Sequence, residues 1–261
     1  MKNKRYLAER PCRDWILYLF SGIILWAVLV SQGECCDKEN FAVFIDIGHS
    51  RKNSGAMSAR GTGEYDFNKT IAELLLIALK ENGFSKAVII NRNGVDINLN
   101  SRGEIANRAK GSLLISIHHD SVQPQYISKW IYKGKTYSYS DKYSGYSIFY
   151  SDKNVQHRES LHFAKLLGEE MLKHGFTPTM HHTEKIKGEN RELVDRKNGI
   201  YKFDDLVILK QTRIPAILLE CGIIVNRQEE LKLRDLAVQG KIVAAIVKSV
   251  MAFCGRDIGK G

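Results

Sequence analysis

The sequence predicts an α/β fold: a mostly parallel or mixed central sheet flanked by helices, in a single domain. Three observations predict it. Short apolar runs of strand length alternate with longer segments of helical periodicity. The chain has 261 residues, enough for one domain of ordinary size after a short N-terminal segment. His49, His118 and Glu220 fall at or just past the ends of apolar runs, where sheets of this class collect their functional groups.

The elements follow in order. Lys2, Lys4, Arg5, Arg10 and Arg13 precede an apolar run over residues 15–30, broken only by Ser21 and Gly22, with small residues at Ser31 and Gly33. This is the pattern of a secretory signal peptide, and the run is close to the length that holds an uncleaved membrane anchor. Segment 1–34 is therefore expected to be a signal peptide or an N-terminal anchor, with the rest of the chain on the outer side of the cytoplasmic membrane. Residues 41–45 read as a buried strand. From Glu64 to Asn82, Phe67, Ile71, Leu74, Leu75, Ala78 and Leu79 recur at helical spacing, and Gly83 stops the helix. A strand at 87–90, a short helix at 99–109 and a strand at 113–117 come next.

Residues 122–144 break the pattern, being rich in Tyr, Lys, Ser and Gly, and 130–139 reads as a small hairpin around Gly134-Lys135. A strand at 145–150 and a helix at 161–173 precede a polar stretch from Pro178 to Asp204; 122–144 and 179–205 read either as inserts over the site or as solvated loop. An apolar strand at 214–219 ends in Glu220, and a helix at 236–253 closes the domain. No repeat of fixed period is present, which argues against solenoids and propellers.

Five cysteines occur without any CxxC pair, which argues against a cysteine metal site. With Cys221 and Cys254 the only two in the body of the domain, no disulfide framework is expected, and Cys221 reads as a small core residue. Lipidation at Cys35 is disfavoured, because Glu34 stands where a small residue is needed. The formal net charge is +10, and about +8 remains without the five basic and three acidic residues of segment 1–34. For an exported domain this charge suits anionic envelope polymers better than nucleic acid.

A zinc hydrolase needs three protein ligands and an open position for water. His49 follows the first strand in Asp46-Ile47-Gly48-His49-Ser50, Glu64 opens the first long helix, and His118 ends the third strand in Ser116-Ile117-His118-His119-Asp120. Each alone has an ordinary explanation: a hydrogen-bonded loop histidine, or a glutamate complementing a helix dipole. Together they make a plausible two-His, one-Glu set. Glu220, carried out of the core by an apolar strand, suits a general base. Of the adjacent histidines His118 is preferred, since neighbouring strand side chains point to opposite faces; His119 is left to line the cleft. Roles for His181, His182 and Glu189 are left open.

In this order the residues resemble the zinc-dependent N-acetylmuramoyl-L-alanine amidases of the amidase-3 type. The resemblance runs from Phe41 to Phe253. It rests on the Gly48-His49 loop, Gly61/Gly63-Glu64 with Asn68, Arg92, Arg102 and Ala106-Asn107, Ser116-Ile117-His118, and Pro215 to Gly222 with Asn226. Ser50 and His119 depart from the pattern, standing where the family often has Gly and a small residue. The resemblance implies a catalytic domain over 41–254, a zinc ion held by His49, Glu64 and His118, and Glu220 as the catalytic glutamate. It also implies peptidoglycan as substrate, cut at the amide between N-acetylmuramic acid and L-alanine; the N-terminal segment puts the chain in the periplasm, the cell envelope or the extracellular space. Another envelope zinc peptidase and a non-catalytic peptidoglycan-binding domain are the competing readings.

Overall fold

The computed structural model describes residues 36–255. The export or anchor segment expected at 1–34 lies outside the described residues, as does Cys35. The three most apolar strands, β1 (Val43–Ile47), β3 (Leu113–Asp120) and β9 (Ala216–Ile223), are almost entirely buried and lie side by side in parallel. Such strands are stable only where both faces are covered. With β2 (Val88–Ile89), β6 (Ser147–Tyr150), β7 (Glu192–Asp195) and β8 (Ile200–Lys202) they form, among the described residues, one seven-stranded sheet in the order β2-β1-β3-β9-β6-β8-β7. β6 runs antiparallel to β9 and β7 antiparallel to β8, so the sheet is mixed. A separate hairpin pairs β4 (Ser128–Tyr132) with β5 (Lys135–Tyr139).

The two faces are covered unequally. Val43, Ile45, Ile47, Ile115, Ile117, Ile217 and Leu219 face a large core beneath α1 (Glu64–Glu81), α3 (His157–Lys173) and α6 (Leu236–Cys254). α6 is apolar enough to cross a membrane by composition alone, but its Ile242, Ile246, Val250 and Phe253 belong to this core. Phe44, Leu114, Phe149 and Leu218 face a smaller cluster under α2 (Leu99–Arg108) and α4 (Val207–Gln211). Those two short helices leave the strand ends on their side open, and the polar groups of β1, β3 and β9 emerge there.

Several expectations are corrected. β3 continues to Asp120 instead of stopping at residue 117. The stretch 178–204 is not a solvated loop: it holds a 3₁₀ turn at His181–Thr183, then β7 and β8, with His181 and His182 buried. α4 and α5 (Arg227–Arg234) were not predicted, although Asn226 caps α5 by accepting from the amides of Gln228 and Glu229 at 3.0 Å. A disulfide joins Cys36 to Cys254 with the Cα atoms 5.0 Å apart, contrary to the expectation that none would form. The partners are 218 residues apart, and only the docking of α6 beside the start of the domain brings them together. Cys221 is buried and free, as expected.

Candidate metal centre and catalytic cleft

The site is assembled where three chain segments meet at the carboxyl ends of β1 and β3. Arg102, itself buried, holds the end of β1. Its guanidinium donates to the carbonyls of Ile47 (2.8 Å) and His49 (2.7 Å) and to Asp46 Oδ1 (3.1 Å). Asp46 Oδ2 accepts from the Ser116 hydroxyl at 2.7 Å, which ties β1 to β3. Burial pushes the Asp46 carboxyl up, against the pull of Arg102. Past the strand the chain turns sharply, and His49 has φ +69°, the left-handed conformation that costs a non-glycine residue about 1–2 kcal/mol. Gly48 precedes it because a Cβ there would run into the His118 ring.

Glu64 is the first residue of α1 and is almost wholly buried. Its Oε2 accepts from the Ala56 amide at 3.1 Å and lies 2.9 Å from His49 Nε2. Its Oε1 lies 3.0 Å from His118 Nδ1 and accepts from Asn68 Nδ2 at 3.1 Å and from the His119 amide at 3.3 Å. Burial would raise the Glu64 carboxyl, but the hydrogen bonds and charge of His118 and His49 outweigh it and hold the group well below the usual range. The structure thus brings His49, Glu64 and His118 together, with one nitrogen or oxygen from each within 4.8 Å of the others. Donors bound at about 2.0–2.1 Å in a tetrahedron lie about 3.3 Å apart. The 2.9 and 3.0 Å separations, one to each oxygen of Glu64, are of that order, and the chemistry of the donor set fits a zinc ion.

His119 does not line the cleft. It lies on the opposite face of β3, fully buried under α1, with Nδ1 2.8 Å from Asn68 Oδ1 and its ring 5.4 Å from that of Phe67. Burial lowers its imidazole to about 3. Asn68 links it to the site, because the Asn68 amide nitrogen donates to both Glu64 and the Gly48 carbonyl.

Glu220 is the register partner of His118 on the neighbouring strand. Its Oε2 is buried without a hydrogen-bond partner. Burial, with the charges of Asp120 and Glu64 added, pushes the carboxyl well above the usual range. It lines a cavity of about 160 Å³ with Asp120, His182, Glu189 and Phe149. A larger cleft of about 620 Å³ opens beside His49 and His118, floored by Asp46 and Ser116 and walled by Asn98, Arg102 and residues 206–208. Leu206 and Leu218 border both spaces. Asp120, two residues beyond His118 on the same face, was not singled out from the sequence. It lies within 3.2 Å of both His181 and His182. Burial pulls the His182 imidazole down, but Asp120 and Glu189 outweigh it and push the group up to about 9.

Comparison with known proteins places this geometry. Residues 43–252 match the family model described as N-acetylmuramoyl-L-alanine amidase. The chain is 27% identical over 242 residues to the probable N-acetylmuramoyl-L-alanine amidase AmiB of Haemophilus influenzae. That match covers 81% of this chain and 51% of the relative, so the chain spans about half of its length. A putative N-acetylmuramoyl-L-alanine amidase of Buchnera aphidicola is 29% identical over 218 residues, covering 78% of this chain and 92% of that protein. Among solved structures, the catalytic domain of CwlV, N-acetylmuramoyl-L-alanine amidase from Paenibacillus polymyxa, has a TM-score of 0.62 at 24% identity, covering 82% and 97% of the two chains. At that identity the likeness establishes the fold.

Proposed function

The chain belongs to the amidase-3 family of N-acetylmuramoyl-L-alanine amidases, and we propose that it hydrolyses the amide between the lactyl group of N-acetylmuramic acid and the first L-alanine of the peptidoglycan stem peptide. The observation that carries this reading is the convergence of His49, Glu64 and His118 at one point, with an unpartnered buried carboxyl, Glu220, in register on the next strand.

His49, Glu64 and His118 would hold a zinc ion. When bound, zinc polarises the scissile carbonyl and lowers the pKa of water toward about 7. The rest falls to the chain. The Ala56 amide and Asn68 fix the Glu64 carboxylate, and the Arg102 clamp on the carbonyls of Ile47 and His49 fixes the strained loop that carries His49. Glu220 takes the proton of the attacking water at Oε2 and returns it to the leaving amine nitrogen of L-alanine. The burial that raises its proton affinity suits a group that must carry a proton between the two steps. The cleft beside His49 offers the space for glycan and peptide on either side of the bond.

The site is proposed to work outside the cytoplasm, in the periplasm or cell envelope. The disulfide between Cys36 and Cys254 supports that location, because such bonds persist in oxidising compartments. A reporter fused after Asp37 is expected to be active only when exported.

The test is digestion of purified peptidoglycan by the full chain, read by mass spectrometry. Free stem peptides beginning with L-alanine, together with glycan strands that keep an intact lactyl carboxylate, are expected. Cleavage within the stem or its cross-links instead would make the chain a peptidase. Binding without any product would make it a wall-binding domain.

A further inference from the structure

A second set of donor atoms converges beside the cavity that Glu220 lines. Asp120 Oδ2 lies 3.2 Å from His181 Nε2 and 3.1 Å from His182 Nε2, and all three atoms fall within 4.8 Å of one another. These separations are as close to the tetrahedral spacing of about 3.3 Å as those between His49, Glu64 and His118.

The outer contacts of the two histidines aim them. His181 Nδ1 is 2.8 Å from the Thr179 hydroxyl, and His182 Nδ1 is 2.8 Å from Glu189 Oε2. Glu189 is itself held by Gln123 Nε2 at 2.8 Å. A hydrogen-bonding group on the far ring nitrogen is what orients a ligating imidazole and presents its other nitrogen to a metal. The rings are fixed sideways as well: Tyr143 stacks on His181 at 5.2 Å, and Phe149 and Tyr201 flank His182 at 4.9 and 5.3 Å. Both imidazoles are more than nine-tenths buried. Asp120 Oδ2 and His181 Nε2 are buried with no hydrogen bond of acceptable geometry. Polar atoms in that state are destabilising unless something joins them. Ser147 Oγ, 3.1 Å from His182 Nε2, is the group that competes for that nitrogen.

We propose that Asp120, His181 and His182 form a second metal site, separate from that of His49, Glu64 and His118, which takes a divalent transition cation of the zinc class. Two imidazoles and one carboxylate select such an ion over magnesium or calcium. The ion fastens the segment 179–191 onto β3 and so completes the wall of the cavity that Glu220 lines. The site stands on its own geometry and does not depend on which bond the enzyme cuts.

The test is metal stoichiometry. The full chain is stripped with a chelator, checked by circular dichroism, dialysed against zinc and analysed for bound metal; cobalt replaces zinc in a parallel series read by its visible absorption. The expected result is about two equivalents per chain. His49→Ala should keep about one, as should Asp120→Asn and, separately, His181→Gln, while His49→Ala combined with His181→Gln should keep none. Asp120→Asn and His181→Gln act from different segments, so a folding failure in one leaves the other to decide. Saturation of the full chain at one equivalent, lost in His49→Ala but kept in Asp120→Asn, overturns the proposal and leaves the cluster as a bare ion pair. A second equivalent that survives in both Asp120→Asn and His181→Gln also overturns it. One equivalent retained by His49→Ala supports the second site whatever the peptidoglycan digest shows.

Discussion

The disulfide between Cys36 and Cys254 closes nearly the whole described chain into one loop, and its removal has a size that follows from that loop. Cross-linking residues 218 positions apart removes closure entropy from the unfolded ensemble worth about 5 kcal/mol at 25 °C, against a typical measured range of about 2–4 kcal/mol. For a domain of this length each kcal/mol moves the midpoint by about 2–4 °C, so a loss near the upper figure lowers Tm by roughly 10–20 °C. The half-cystines pack against the large core, and Phe253 makes edge contacts with Phe41 at 6.2 Å and Phe163 at 5.4 Å. Folded contacts are therefore largely kept when the bond is cut, and the effect acts on the unfolded chain. Cys254→Ser is the variant to make, because Cys35 adjoins Cys36 in the sequence and would leave a second thiol there. Urea unfolding of the oxidised full chain, the same chain reduced with a phosphine, and Cys254→Ser should give two matching destabilised curves, each lower than the oxidised protein by about 2–5 kcal/mol. If reduced protein and Cys254→Ser both unfold within about 1 kcal/mol of the oxidised chain, the loop-closure reasoning is wrong.

Three further outcomes are expected. Glu220→Gln keeps the shape but cannot accept a proton, so turnover should fall by at least about 100-fold while elemental analysis finds unchanged metal content; metal loss in this variant would make Glu220 a ligand. His118→Ala should lose metal from the centre it shares with His49 and Glu64, whereas His119→Ala should keep that metal and lose about 1–3 kcal/mol of stability, because Asn68 Oδ1 is left without its partner. The opposite pattern would reverse the assignment. Gly48→Ala places a methyl group against the His118 ring and should impair metal binding and activity together; a variant of normal affinity would show that the ring has room to move.

Much of this arrangement was legible in the sequence, because its main parts sit on regular structure. Alternation along a strand assigned His118 and His119 to opposite faces, and β3 carries them so. Helical spacing located α1 and put Glu64 at its start. What escaped notice depends on contacts between distant segments. β7 and β8 have four and three residues, too few to show a period, and Glu192–Asp195 reads as polar until Leu193 meets Tyr201 in register. His181 and His182 lie on a 3₁₀ turn with no periodicity to betray their burial, and Asp120, the group they face, belongs to a strand that runs three residues beyond its apolar part. α5 left a signal that went unread: Asn226 followed by Glu229 and Glu230 is a capped helix start. The disulfide left none, since Cys36 borders the segment expected to direct export and Cys254 ends the last helix.

The alternation in β3 also separates two kinds of change that this chain can undergo. Of the even positions, 116 and 118 line the cleft and 120 the smaller cavity beside Glu220, while odd positions 113, 115, 117 and 119 face the core under α1. Substitution at His118, which is only partly buried, can retune chemistry with little disturbance to the apolar core, and substitution at 113, 115 or 117 can alter stability while sparing the cleft. Inserting or deleting a single residue within the strand does neither separately. It exchanges the two sets, sending isoleucines to the cleft and a histidine and a carboxylate into hydrocarbon. Drift by substitution is therefore open to this strand, whereas change in its length is closed.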